Sequence, residues 1–113
     1  MKTIMDATGG LWQNGGLVGK SAGVFQSTGT MQGGQESVGI NCMSFFAHQG
    51  MIFIPLGYTD PQAFSYDEIH CASPWGSSTY AGPDGSRQPT VMELSIAENH
   101  GKHFTILTEK LSR

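Results

Sequence analysis

Strand-like and helix-like segments alternate along this 113-residue chain, which predicts an α/β fold built on a parallel sheet with helices on its faces. Two short apolar runs, residues 22–25 and 51–54, read as strands buried in such a sheet. Each is followed by a segment with helical spacing of apolar residues, 36–49 and 90–111. The length suits a single domain.

Taken in order, residues 1–7 read as the tail of a helix that breaks at Gly9-Gly10. Residues 9–19 form a glycine-rich stretch holding one large aromatic, Trp12. The run Ala22-Gly23-Val24-Phe25, ending in Gln26-Ser27-Thr28-Gly29, reads as a buried strand feeding a loop over residues 28–35. Val38, Ile40, Met43, Phe45 and Phe46 give the next segment its helical stripe, with Gly39 inside it costing about 1 kcal/mol against alanine. Met51-Ile52-Phe53-Ile54 is a strand covered on both faces, ended by Pro55. Residues 56–89 are rich in Gly, Pro, Ser and Asp and read as one long functional loop. Thr90 with Glu93 forms a capping box for the last helix, in which Gly101 is the weak point. Two strands make a poor sheet, so both are expected to want neighbours.

Composition narrows the function classes. Charged residues make up 13% and glycines number 16, which fits a backbone that approaches a ligand closely. The net charge of −3 and the absence of a Lys/Arg cluster argue against nucleic acid and anionic membranes. No apolar run reaches the roughly 18 residues of a membrane span. Cys42 and Cys71 follow no metal or redox spacing and are expected to be free thiols in a cytoplasmic setting.

The loop Ser27-Thr28-Gly29-Thr30-Met31-Gln32-Gly33-Gly34-Gln35-Glu36 carries the strongest chemical signal. It leaves the carboxyl end of a strand and opens a helix, where ligands of parallel sheets bind. Its glycines free backbone N–H groups, its threonines add hydroxyls, and the helix start adds a positive dipole end. Composition alone also allows a plain connecting loop. Other patterns carry less. Residues 14–21 almost spell a nucleotide P-loop, but a strand follows instead of a helix. His70-Cys71 and His100-x-x-His103 match no zinc spacing, and the helix histidines are expected to be solvated, so no metal site is expected. Asp84 and Glu93 make no convincing acid/base pair.

Several motifs in consistent order resemble the WrbA-type NAD(P)H:quinone oxidoreductases, which are flavodoxin-like FMN proteins. They are Thr8-Gly9-Gly10-Leu11-Trp12, Gly19-Lys20, the loop 27–36, Ala47-His48, Gly50 to Tyr58, Ser73-Pro74-Trp75-Gly76, Ala81 to Pro89, and Glu93 to Ala97 with Gly101-Lys102. The resemblance implies a three-layer fold of which residues 1–113 supply the last two strands and their helices. It implies FMN as cofactor, NAD(P)H as donor, a quinone as acceptor of two electrons, and homo-oligomers, dimeric or tetrameric. It assigns the flavin ring to Ser27, Thr28, Gly29, Thr30, Met31 and Gln32, a catalytic, cofactor-facing histidine to His48, and the nicotinamide and quinone wall to Trp12. Without the motif, Trp12 reads as a core or interface aromatic, and His48 as a capping or core histidine. The chain departs from the family pattern at His48-Gln49, where two histidines are usual, and at Gly39, Asn41, Cys42 and Ser77-Ser78. The family's phosphate-binding loop and its other three strands precede the matched segment, so FMN binding by these residues alone is expected to be weak or lost. The alternative expectation is a truncated, non-catalytic paralogue or fragment that associates with another subunit.

Overall fold

The computed structural model describes residues 1–113, with the order α1 (Lys2–Asp6), α2 (Gly9–Gln13), β1 (Ser21–Ala22), β2 (Gln26–Thr28), α3 (Gln35–Gln49), β3 (Ile52–Phe53), a 3₁₀ turn (Pro61–Phe64), β4 (Ser78–Tyr80) and α4 (Val91–Leu111). All strand pairing in the ladders is parallel: β1 with β3, and β2 with β4. These four pieces occupy only two strand positions. Lys20 O and Ala22 O accept from Ile52 N–H and Ile54 N–H, while Gln26 N–H donates to Ser77 O and Thr28 O accepts from Ala81 N–H. Even-numbered residues of 20–28 therefore face one edge, and β3 and β4 lie along that edge in series. Residues 55–76 loop out between them, and the neck is closed by Gly57 N–H donating to Pro74 O at 2.8 Å.

The expected strand at 22–25 is thus shifted. Residues 23–25 form the joint where the partner changes from β3 to β4, and the strand runs on through Thr28, where the loop was expected to have begun. β4 lay hidden inside the expected loop 56–89. Gly9-Gly10 begins a second short helix rather than ending the first. The last helix starts as expected, with both arms of the Thr90/Glu93 capping box formed.

Side chains from the strands go to two helices. Ala22 and Val24 pack with Phe46 of α3, joined by Met43, Phe45 and Phe53. Gly23 faces α4, where a Cβ would meet the Phe104 ring at 3.1 Å. The order α3, strands, α4 is the three-layer arrangement of a partial flavodoxin-like fold. A second small core, Leu56, Ala63 and Ile96, ties the looped-out segment to α4. Asn99 donates to Asp60 at 2.9 Å and Gln62 to Ser95 at 2.9 Å, fixing the same junction.

Two glycines serve packing. A Cβ on Gly39 would lie 2.9 Å from Trp75 Cβ, and one on Gly76 would lie 1.8 Å from Val24 O. Gly39 therefore lets Trp75 close on α3, while Trp75 stacks on Phe53. The opposite edge of residues 20–28 has no strand beside it. The radius of gyration is 15.2 Å, against about 13 Å for a compact domain of this length.

Candidate functional site

The loop 27–34 rises from β2 and enters α3. Backbone and side chains pin it at both ends. Thr28 O accepts from Ala81 N–H at 2.7 Å, and Gln26 Nε2 donates to Gly34 O at 3.2 Å. Inside the loop, Thr28 Oγ1 donates to Thr30 O at 2.7 Å and accepts from Gln35 Nε2 at 2.5 Å. Gly33 N–H donates to Thr30 O, and a Cβ there would strike that oxygen at 2.8 Å, so the turn requires glycine. Gln32 holds a left-handed φ of 62°, a conformation uncommon for a residue with a side chain.

Donors converge at the start of α3. Its N-cap is Gly34, which offers no side-chain cap. The N–H groups of the first turn are therefore free, at the positive end of a 15-residue helix. Gln35 is buried, and its Oε1 has no partner. Beside the loop lies a cavity of about 470 Å³ lined by Met31, Gln32, Gln35, Glu36, His70 and Cys71 among others. Burial, then the Glu93 carboxylate, push the Cys71 thiol up from its ordinary value, which makes it a packing thiol rather than a nucleophile.

The far side of the loop is braced by an ion pair. Arg87 binds Glu93 through both prongs, hands a further hydrogen bond to Tyr80 O, and lies 3.7 Å over the Tyr80 ring. Thr79 Oγ1 also donates to Glu93, at 2.7 Å. Burial pushes the Glu93 carboxyl up, but hydrogen bonds from Arg87, Thr79 and the Thr90 backbone outweigh it and hold the group below its ordinary value. Glu93 is thus a structural carboxylate.

His48 and Trp12 sit elsewhere. His48 is the penultimate residue of α3, so thirteen residues of helix, about 20 Å, separate it from Gln35. There Gly19 N–H donates to Gly50 O and Gln49 Nε2 donates to Thr8 Oγ1, which brings the 8–19 segment and Trp12 to the same end. That end carries the starts of β1 and β3, opposite the loop. Both side chains are exposed. His48 Nδ1 lies 2.7 Å from Ser44 O, a carbonyl that can only accept, so Nδ1 carries a proton and donates. One protomer therefore brings residues 27–32 together but does not bring His48 or Trp12 to them.

His100 departs from the sequence expectation of solvated helix histidines. It is buried, with Nδ1 3.3 Å from Ser77 N and Nε2 unpartnered, because the strand joint packs directly on this face of α4. His103 is half-buried. Residues 14–19 run as turns into β1, so a strand and not a helix follows the P-loop-like pattern.

No protein-family model matches the chain. Curated proteins do. NAD(P)H quinone oxidoreductase PST2 of Candida albicans is 50% identical over 103 residues, covering 91% of this chain and 51% of the relative. Quinone-oxidoreductase QR2 of Triphysaria versicolor is 43% identical over 113 residues, covering 99% of this chain and 55% of the relative. Minor allergen Alt a 7 of Alternaria alternata is 51% identical over 107 residues, with 91% and 52% covered. The chain is similar to proteins named NAD(P)H quinone oxidoreductase. It spans about half the length of the curated relatives it matches.

The structure brings forward residues that the motifs do not single out. Gln35 and Gln26 shape the loop, yet only Gln35 stood in a quoted motif. Its buried amide at a helix start next to a threonine-rich turn was the available signal. Arg87 lay in the 81–89 motif, but nothing in the spacing announced its pairing with Glu93.

Proposed function

We propose that this chain is the ring-binding part of an FMN-dependent NAD(P)H:quinone oxidoreductase, working as a homo-oligomer in the cytoplasm. The observation that carries the proposal is the loop 27–34, held open at an uncapped helix start, in a chain about 50% identical to proteins named for this activity. Bound FMN supplies the hydride and electron transfer from NAD(P)H to a quinone.

The residues suit a flavin ring. Gly29 has open space where a Cβ would stand, so a flat ring meets backbone at that point. The free N–H groups of the first turn of α3 favour the electron-rich, negatively charged edge of a reduced ring. Trp12 offers an exposed indole wall for a flat nicotinamide or quinone. His48 offers an exposed imidazole that can take or return a proton at a quinone oxygen. Because about 20 Å of helix separates His48 from the loop within one protomer, these two residues serve the loop of another copy. Free Cys42 and Cys71 fit a reducing compartment. The test is NAD(P)H oxidation by the purified chain with quinone, with and without added FMN. FMN-dependent turnover supports the proposal; no turnover and no flavin uptake sinks it for this chain.

A second reading has its own observation. One edge of residues 20–28 is unpaired, Phe25 is 81% exposed, and a cavity of about 390 Å³ opens between the strand joint at residues 23–25 and α4. Unpaired edges seek strands. On this reading the chain is a non-catalytic piece that associates with another subunit. A cooperative thermal transition from a monomeric species would count against it.

A further inference from the structure

We propose that Gln49 is a positioning residue for Trp12, holding the indole wall at the His48 end of α3 through Thr8. The proposal rests on the reading of Trp12 as the nicotinamide and quinone wall.

No residue of 1–19 is buried. Trp12 rides on α2, which is five residues long and begins with Gly9 and Gly10. A helix that short, with two glycines, does not hold its shape or its place alone. Two hydrogen bonds tie the segment to the end of α3. Gly19 N–H donates to Gly50 O at 2.8 Å, well past Trp12, where the chain enters β1. Gln49 Nε2 donates to Thr8 Oγ1 at 2.7 Å, at the start of α2 itself. Thr8 is the N-cap of α2, and its carbonyl accepts from Trp12 N–H at 3.0 Å. The amide of Gln49 thus reaches the backbone of Trp12 through a single residue.

The direction of the contact is set. Thr8 Oγ1 lies 2.6 Å from Met5 O, a carbonyl that can only accept, so the hydroxyl proton is spent there. Toward Gln49 the oxygen can only accept, and the amide must face it with Nε2. Gln49 is buried and its Oε1 has no partner. Helix α3 makes no use of this amide. Its last turn is closed by Gly50 N–H on Ala47 O and Met51 N–H on Phe46 O, with Gly50 in the left-handed conformation. A buried amide with half its capacity unmet is costly, and an apolar side chain there would not carry that penalty. What the amide supplies is the bond to Thr8. Its neighbour His48 is exposed, so one helix end presents both the ring and the anchor of the wall.

The experiment replaces both tryptophans of the full chain with fluorotryptophan and follows their fluorine NMR resonances, assigned with Trp12→Phe. It compares wild type, Gln49→Leu, Thr8→Val and Thr8→Ser, and measures the quinone KM of each with FMN present. Trp75, packed against Gly39 and Phe53, is the internal control for the fold. Gln49→Leu and Thr8→Val should each shift and sharpen the Trp12 resonance toward that of a mobile indole and leave Trp75 in place. Each should raise the quinone KM by roughly fivefold, the worth of one hydrogen bond, with kcat changing less. Thr8→Ser keeps the acceptor and should keep both wild-type readings. The double variant Gln49→Leu, Thr8→Val should be no worse than either single one, because both remove the same contact. A Trp12 resonance that neither variant moves overturns the tie, whatever the activity. A resonance that moves while KM stays put overturns the reading of Trp12 as wall, and the positioning role with it. If one variant also displaces Trp75, the other decides; displacement of Trp75 in both overturns the proposal, since the contact then serves the fold rather than the wall. A chain with no FMN-dependent turnover overturns the flavin reading, and the fluorine resonances then decide the tie alone.

Discussion

Arg87 grips Glu93 with both arms of its guanidinium, Nη1 on Oε2 and Nη2 on Oε1, each at 3.1 Å. The carboxylate is almost fully buried while the guanidinium keeps 22% exposure. The pair closes the 81–89 segment over the start of α4, and Glu93 also caps that helix through Thr90 N–H. Removing the cation leaves a buried carboxylate with fewer partners. Arg87→Ala is expected to lower unfolding free energy by about 1.5–3 kcal/mol, read from the urea midpoint. Because the folded Glu93 carboxyl titrates below its ordinary value of 4.5, its contribution is present above that pH and is lost as pH falls through the lower folded value.

Three glycines predict opposite signs. Gly101 lies in α4 with open space where a Cβ would stand, so Gly101→Ala should stabilise the chain by about 0.5–1 kcal/mol. Gly39→Ala gains the same helical preference but drives a Cβ to 2.9 Å from Trp75 Cβ, and the net expectation is a loss of about 1–3 kcal/mol. Gly76→Ala meets backbone at 1.8 Å and is expected to prevent the strand joint from forming. Denaturant melts of the three variants check the ranking.

His100 makes stability fall on mild acidification. Burial, and then the charge of His103, push its folded value below the ordinary 6.5. The folded chain then binds fewer protons than the unfolded one, so stability is full above about 6.5 and declines as pH drops toward the folded value. His100→Gln keeps a polar group beside Ser77 without the titration. Melting temperatures taken between about pH 8 and pH 5 should fall in wild type and fall less in the variant. Parallel curves for the two proteins would contradict this.

What the sequence disclosed follows from what periodicity can express. The capping box at Thr90 and Glu93 and the helix 36–49 were legible because local side-chain pattern determines them. β4 was not: Ser78, Thr79 and Tyr80 are three residues within a turn-rich stretch, and only pairing with Gln26, Ser27 and Thr28 makes them strand. Gly39 read as a helix defect because Trp75, thirty-six positions later, is invisible to local pattern. In the candidate site, the loop 27–32 was legible from its glycines and threonines. The separation of His48 from that loop was implicit in the expected helix 36–49, whereas the docking of the 8–19 segment with Trp12 at the far end of that helix was not.

The central claim is that the loop of one copy works with His48 and Trp12 of another, and subunit mixing tests it most directly. Gly29→Trp fills the mouth of the loop at a position with room for a side chain, and the double variant Trp12→Ala, His48→Ala removes the other half of the site. Each protein alone should show little FMN-dependent quinone reduction. Mixed in equal amounts, they should recover about one quarter of wild-type activity if the working unit is a dimer, because half the dimers are hybrids with one intact site each. A mixture no more active than its two components would contradict a site shared between copies.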